Sequence, residues 1–508
     1  MKLSKPYTAV KNILESEKWG NLAEYVIIFL VILISFILCR NLGIKNDADK
    51  TRTLMLAAFS GLALYAIYTA SKGQMNSEKA VKFIIIAGII MRVGYMVYTH
   101  MFARGHDLGT FEANGVGHIG YIFNLAENGS LPASNEYQLY HPPFFHIMAA
   151  LFIRIGALLH NSNIEDAFEY SQIVNCVVSC FMIVAFKNFI NQSDINKKYR
   201  PYVVAIIAFF PNFYLMAGRL NNDMLVSYFM LLCVINTYRW YRNRNIKNVI
   251  CLALSFGFGM MSKVSCGTIA IFTGPVMLYC LIKEIRGKNT NSIKEIIFQL
   301  CVFAAICLPL ALWYPLRNYI LFGQPLNYVT YIGDNSFVYT GNVSLFRRFF
   351  DFSPVKLFTQ PFANVNDDYS IPMHMVRSAI YGEFSFDGYL AFFSIFSIVN
   401  LCLIIVSLAS MVFVLIKGKG IPAENKYGMF FLWIITVVSF IAFNISYPFI
   451  CTADFRYVPL TAVTGAVLMT YGMQYLDSIG KKNHADLILH SEKILITVWC
   501  ILSCITFI

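Results

Sequence analysis

The spacing of the apolar runs constrains this chain more than any other feature of its sequence. A bilayer's hydrocarbon core takes about 20 mainly apolar residues per helix, and runs of that kind recur from one end of the 508-residue chain to the other. Inside lipid, backbone N–H and C=O groups have no water to bond, so a crossing segment must satisfy itself as a helix. Candidate spans lie at 22–39, 53–70, 81–99, 171–190, 201–217, 224–238, 249–261, 266–282, 296–313, 389–416, 427–447, 458–475 and 494–508. The expectation is an all-α polytopic membrane protein with about 13 transmembrane helices. Phe144–His160 is apolar as well, but it carries His146 and Arg154 and is read as lying along the interface. With 57% hydrophobic against 13% charged residues, a soluble globular chain is excluded.

The net charge of +12 points to cytoplasmic loops rather than to nucleic acid, because Lys and Arg collect on the inner side of a membrane protein. With the N-terminus inside, the inner loops hold Lys72, Lys79 and Lys82; Lys197, Lys198 and Arg200; and Arg239, Arg242, Arg244 and Lys247. Lys283, Arg286, Lys288 and Lys294, then Lys417 and Lys419, then Lys481 and Lys482 follow on the same side. A full crossing by Phe144–His160 would put most later clusters outside. The expected topology is therefore N-in and C-out, in the cell membrane. Most of the 13 cysteines fall inside apolar runs and form no CxxC pair, so they read as packing residues. The first run is too long for the core of a signal peptide and reads as an uncleaved anchor. Three regions are expected: residues 1–80, with two extra helices; 81–475, the main module; and 476–508, the last loop and helix.

On this topology the unusual polar residues share the outer face. "FARGHDLGTFE" places His106, Asp107 and Glu112 directly after an apolar helix, and "YHPPFFH" follows with Tyr140, His141, Pro142 and Pro143. "GRLNND" adds Arg219 and Asp223, "SK" adds Lys263, "LRN" adds Arg317 and "TADFRY" adds Arg456. Each has a plain structural reading too. "NND" before an apolar helix is a good N-cap, the two prolines suit a helix start, and Lys263 and Arg456 suit snorkelling anchors at helix ends. Arg92 is different: a mid-helix Arg costs about 2.5–3.5 kcal/mol on insertion scales and implies a buried acid or an aqueous cavity. "GVGHIG" (115–120) follows no buried strand and reads as loop or packing glycine rather than a dinucleotide fingerprint. Leu345–Phe352, with Arg347 and Arg348 among phenylalanines, reads as an interfacial helix.

A spanning helix with an internal Arg, an exterior acid about fifteen residues on, and "HPP" opening a juxtamembrane helix resembles the GT-C superfamily of membrane glycosyltransferases. The branch it is most similar to is the protein mannosyltransferase and aminoarabinose transferase group. The resemblance runs from about Val81 to Tyr475. It implies a GT-C-like fold, and inverting transfer of a sugar from a polyprenyl-phosphate donor to a glycan, lipid or protein acceptor on the exterior face. It further implies Asp107 as general base and Asp223 as a second catalytic acid, and Glu112, in the same loop as Asp107, is a further catalytic candidate. His106, Tyr140, His141, Arg219, Lys263, Arg317 and Arg456 become the candidates for donor phosphate and substrate, supported near the site by Arg92, Pro142 and Pro143. No organic cofactor is implied, and a divalent cation is left open. The large exterior domain of protein mannosyltransferases is missing, and His106–Asp107 stands where that group has Asp-Glu.

A secondary transporter, or a flippase of lipid-linked glycans, is the rival reading. It would put ionisable groups near the bilayer midplane on broken helices, whereas this sequence gathers most of them at one rim. A common cavity holding both Asp107 and Asp223 favours the enzyme.

Overall fold

The computed structural model describes residues 17–103, 105, 107–111, 115–358, 362, 368–383, 390–418, 420–481 and 484–508. Its helices are α1 (Glu17–Asn41), α2 (Ala48–Ser71), α3 (Ser77–Tyr98), α4 (Gly117–Asn128), α5 (Phe144–His160), α6 (Gln172–Asn191), α7 (Arg200–Ala208), α8 (Pro211–Ala217) and α9 (Asp223–Arg242). There follow α10 (Ile246–Ser262), α11 (Ala270–Arg286), α12 (Thr290–Phe322), α13 (Leu345–Phe350), α14 (Ile371–Tyr381), α15 (Leu390–Lys417), α16 (Ala423–Ser446), α17 (Leu460–Ile479) and α18 (Ala485–Thr506). The chain is an all-helical, multi-pass membrane protein; among the described residues, extended pairing is limited to one bridge between Tyr339 and Phe449.

By length and composition, nine described helices can cross a membrane, or ten with the bent pair α7–α8 taken as one. That is fewer than the thirteen expected. The other three expected spans correspond to α9, α10 and α17. Helix α10 has only 17 residues. Helices α9 and α17 carry polar residues along faces that pack inside the bundle, with Asp223, Ser227, Asn236 and Thr237 buried on α9 and Thr464 and Thr470 on α17. A helix shielded from lipid by its neighbours needs less hydropathy than one facing acyl chains. Helix α2 shows the opposite pattern, exposing Leu54, Leu56, Leu64 and Ile67 toward where lipid would lie.

The connections separate into two ends. At one, Lys197 pairs with Glu78 at 3.0 Å, Arg242 with Asp194 at 3.8 Å and Arg244 with Glu284 at 2.8 Å. At the other, Glu169 gathers Lys45 at 3.6 Å and His100 at 3.4 Å. The basic loops thus share one end. Helix α5 begins and finishes at the opposite end: His146 in its first turn meets His118, and His160 at its last residue lies 2.6 Å from the Tyr170 hydroxyl, beside Arg40. It lies against the bundle without crossing it. Helix α13 exposes Phe346 and Phe350 while burying Arg348, which donates to the Asn444 carbonyl at 2.8 Å.

Arg92 corrects an expectation: neither a buried acid nor the cavity meets it. Its guanidinium donates to the carbonyls of Ala208 at 2.6 Å, Gly88 at 3.0 Å and Ile207 at 3.2 Å, and to the Ser179 hydroxyl at 2.8 Å. Pro211 explains this. It has no N–H to offer the carbonyl four residues earlier, and that carbonyl belongs to Ile207. The chain bends by 48° at this break, and Arg92 satisfies the carbonyls stranded there, while Ser179 donates to Phe213 at 2.7 Å.

Candidate active site

At the end opposite the basic loops, a cavity of about 510 Å³ is lined by Asp107, His118, Tyr137, Tyr140, His141, Asn221, Asn222, Asp223, Lys263, Glu383, Arg456 and Tyr457. Its polar residues come from segments far apart in sequence.

The loop carrying Asp107 is held mainly by backbone. His118 N–H donates to the Asp107 carbonyl at 2.9 Å and Ile119 N–H to that of Leu108 at 2.7 Å, which docks the loop on the first turn of α4. Gly109 and Gly117 make this approach possible. A Cβ on Gly109 would sit 1.7 Å from the Val116 carbonyl oxygen and one on Gly117 would sit 2.5 Å from that of Leu108, and both have positive φ. The glycines of "GVGHIG" are therefore packing glycines. Asp107 itself has φ 55°, tolerated by Asp better than by most residues. Its Oδ1 accepts a hydrogen bond from the Tyr137 hydroxyl. Burial, reinforced by the Asp107 charge, pushes the Tyr137 phenol up, so it remains a donor.

A second group surrounds Asp223, the first residue of α9. Lys263 Nζ lies 2.6 Å from Oδ1 and Arg456 Nε lies 3.7 Å from Oδ2. Helix capping does not account for Asp223: Asn221 Oδ1 accepts from the Asp223 N–H at 3.3 Å, while Asn222 donates to the Ser262 carbonyl at 2.9 Å. The turn is anchored from α6, where buried Asn175 donates to the carbonyls of Arg219 and Asn221, each at 2.8 Å. Arg456 also lies 3.9 Å from Glu383, and its N–H donates to Asp454 Oδ1 at 2.7 Å. Burial, and then the neighbouring Glu383, push the Asp454 carboxyl up. Arg456 is held well above its ordinary value by Tyr457, Glu383, Asp223 and Asp454, which together outweigh burial.

The structure brings Asp107, Asp223, Tyr140, His141, Lys263 and Arg456 to one cavity. Pro142 and Pro143 are buried at the start of α5. Burial, then Lys263, holds the His141 imidazole well below its usual range. Arg219 is buried nearby, in the field of Asp454 and Glu383, without lining the cavity. Arg317 points elsewhere, donating to the Pro132 carbonyl at 2.8 Å and to Asn318 at 2.9 Å. His106 and Glu112 lie outside the described residues, as does Arg104. Sequence reasoning missed Tyr137, His118 and Glu383. Glu383, an acid in a polar stretch just before an apolar run, carried a readable signal; Tyr137 and His118 carried none. Among the described residues, no group of three or more His, Cys, Asp and Glu is arranged to hold a metal ion.

Residues 140–313 match the family described as dolichyl-phosphate-mannose-protein mannosyltransferase. The match is a similarity of that segment, 174 of the 508 residues. The matched segment holds Tyr140, His141, Asp223 and Lys263, while Asp107 and Arg456 lie outside it. Among solved structures, that of ArnT from Cupriavidus metallidurans in the apo state is similar at 12% identity and a TM-score of 0.34, over 79% of this chain and 80% of that one. No curated protein matches the sequence.

Proposed function

We propose that this protein moves a sugar from a polyprenyl-phosphate donor to a hydroxyl acceptor, in one inverting displacement, at the exterior face of the membrane. The observation that carries the reading is the meeting of Asp107 with the Asp223–Lys263–Arg456 group in one cavity. The orientation follows from the basic loops, which share the opposite end and mark the cytoplasmic side.

The two halves of the site suit the two halves of the reaction. Asp107, bonded to a neutral phenol, is the base: it takes the proton as the acceptor oxygen bonds to the anomeric carbon. The bond from that carbon to the donor phosphate breaks, and its electron pair leaves on the phosphate. Lys263 and Arg456 face the place where that charge grows, and fixed cations there lower the barrier. Asp223 holds the two cations apart and in place rather than acting as a second base. The apolar wall from Val226, Met230, Ile269 and Phe440 suits the first isoprene units of the carrier.

The test is direct. Purified protein in lipid nanodiscs is incubated with undecaprenyl phosphates bearing radiolabelled mannose, galactose or aminoarabinose, together with lipid and glycan extracts. Transfer of label to an acceptor, lost in Asp107→Asn, supports the reading; binding or translocation of lipid-linked sugar without transfer favours the flippase alternative.

A further inference from the structure

His118 lines the cavity but has no part in the transfer step above. Its ring is 3% exposed and its Nδ1 lies 3.0 Å from Nε2 of His146, which is 0% exposed. The rings form a stack. His118 and His146 have centroids 5.2 Å apart, Tyr121 covers His146 at 4.0 Å, and His141 lies parallel to His118 at 6.0 Å with 2° between planes. With Nδ1 committed to His146, Nε2 is the polar edge left to face the cavity that this side chain lines.

The surroundings of His146 favour one tautomer. The Pro142 backbone is the acceptor beside the His146 ring, and Nδ1, which makes no hydrogen bond of its own, is the ring nitrogen not taken up by His118. A lone pair pointed at a carbonyl oxygen is repelled, so the His146 proton sits on Nδ1 and its Nε2 accepts. His118 must then donate through Nδ1–H, which leaves Nε2 as an unprotonated lone pair in the cavity. Burial keeps His118 neutral, pushing it down to about 4 against the pull of Asp107 and Asp223, while Lys263 and Arg456 push the same way as burial.

We propose that His118 Nε2 is a hydroxyl-binding site, accepting a hydrogen bond from a sugar or acceptor hydroxyl seated beside Asp107, with His146 as the positioning residue that sets its tautomer. The transfer part of the test rests on the function proposed above; the tautomer and ligand parts do not.

The experiment uses full-length protein in nanodiscs with isotope-labelled histidine. The chain has 9 histidines, and His118→Gln assigns the His118 signals. The expected nitrogen spectrum shows His118 neutral with its proton on Nδ1, and His146→Phe, which keeps a ring in the stack, releases that preference. Methyl glycosides of mannose, glucose, galactose and N-acetylglucosamine are then titrated in, and at least one shifts the His118 Nε2 signal. A His118 protonated on Nε2, or an Nε2 that none of the four moves, overturns the proposal. In the transfer assay, His118→Phe is expected to lower kcat/KM by about 10- to 100-fold, the scale of one buried hydrogen bond, and His118→Gln to recover part of it. A rise in donor KM assigns the hydroxyl to the transferred sugar, and a rise in acceptor KM assigns it to the acceptor. Unchanged kinetics in His118→Phe overturns the proposal.

Discussion

Lys263 Nζ stands 2.6 Å from Asp223 Oδ1, and the same ammonium lies 5.2 Å from the centre of the Tyr457 ring. A carboxylate gripped by an ammonium on one oxygen and faced by the Arg456 guanidinium on the other is a poor proton acceptor, because transfer would break both pairs. Asp107 is bonded instead to the neutral hydroxyl of Tyr137. The two acids therefore have different environments.

Asp107→Asn is expected to fold and to bind donor normally while sugar transfer falls by roughly 10²–10⁴, the range for loss of a general base. Tyr137→Phe removes the donor to the same carboxylate and is expected to cost less, about 10-fold. Single-turnover transfer rates together with donor-binding isotherms check both. A folded Asp107→Asn protein with near-normal transfer removes Asp107 as the base.

Asp223→Asn is expected to weaken donor binding as well as rate, by about 10²-fold in kcat/KM, because two cations lose their common counter-charge. Lys263→Arg should retain more activity than Lys263→Met. Equal loss in the two Lys263 variants would show that charge at this position is not what matters. Donor KM and kcat, measured separately, decide it.

Arg92→Leu is expected to lower stability on the order of 3 kcal/mol, since several main-chain carbonyls and a hydroxyl lose a buried donor together. Arg92→Lys should recover only part, because an ammonium cannot reproduce the planar fork. Thermal unfolding in detergent measures the order wild type, Lys, Leu. Equal melting of Arg92→Leu and wild type would contradict the bonding pattern at the helix break.

Gly109→Ala is expected to reduce transfer by about 10²-fold with a much smaller change in overall melting, since the added methyl group collides with the Val116 carbonyl and displaces the loop bearing Asp107. Gly43→Ala is the control: it too has positive φ, but a Cβ there meets nothing within 4 Å. Comparable activity in the two variants would show that strain, rather than contact, sets the effect.

Asp368 ties the segment before α14 to the bundle: Arg377 lies 2.7 Å and His374 3.2 Å from its Oδ1. Burial pushes this carboxyl up, but His374 and Arg377 more than reverse it, leaving it below the ordinary range. A depressed carboxyl stabilises the fold above its unfolded value of about 3.9 and loses that contribution as pH falls through the folded value. The stability gap between wild type and Asp368→Asn is therefore expected to be full at pH 7 and to shrink below pH 4. Melting temperatures across that range test the sign; a gap that widens on acidification would reverse it.

Much of the fold was legible because lipid imposes a simple rule on apolar runs, and because Lys and Arg mark one side. The common cavity for Asp107, Asp223, Lys263 and Arg456 followed from that sidedness. Other features depend on partners that only the folded chain supplies. Arg92 was legible as a problem but not in its solution, which needs the break before Pro211 to come within reach of α3. Asp223 looked like a cap because its neighbours are good caps, but the N-cap is Asn222, which makes no side-chain cap bond, and it is Asn221 that accepts from the Asp223 N–H. Arg317 sits at a helix end like the other basic residues, and its direction was set by the Pro132 carbonyl, far away in sequence.

The backbone clasp between 107–109 and the start of α4 has a consequence for motion. The amides of His118 and Ile119 are bonded to the loop, not to their own helix, so these two protons can exchange with solvent only when the loop lifts. That opening parts the loop from the helix start, so it moves the Asp107 carboxylate away from the helix that carries His118. The exchange rates of two main-chain hydrogens therefore report how often the Asp107 side of the cavity is intact.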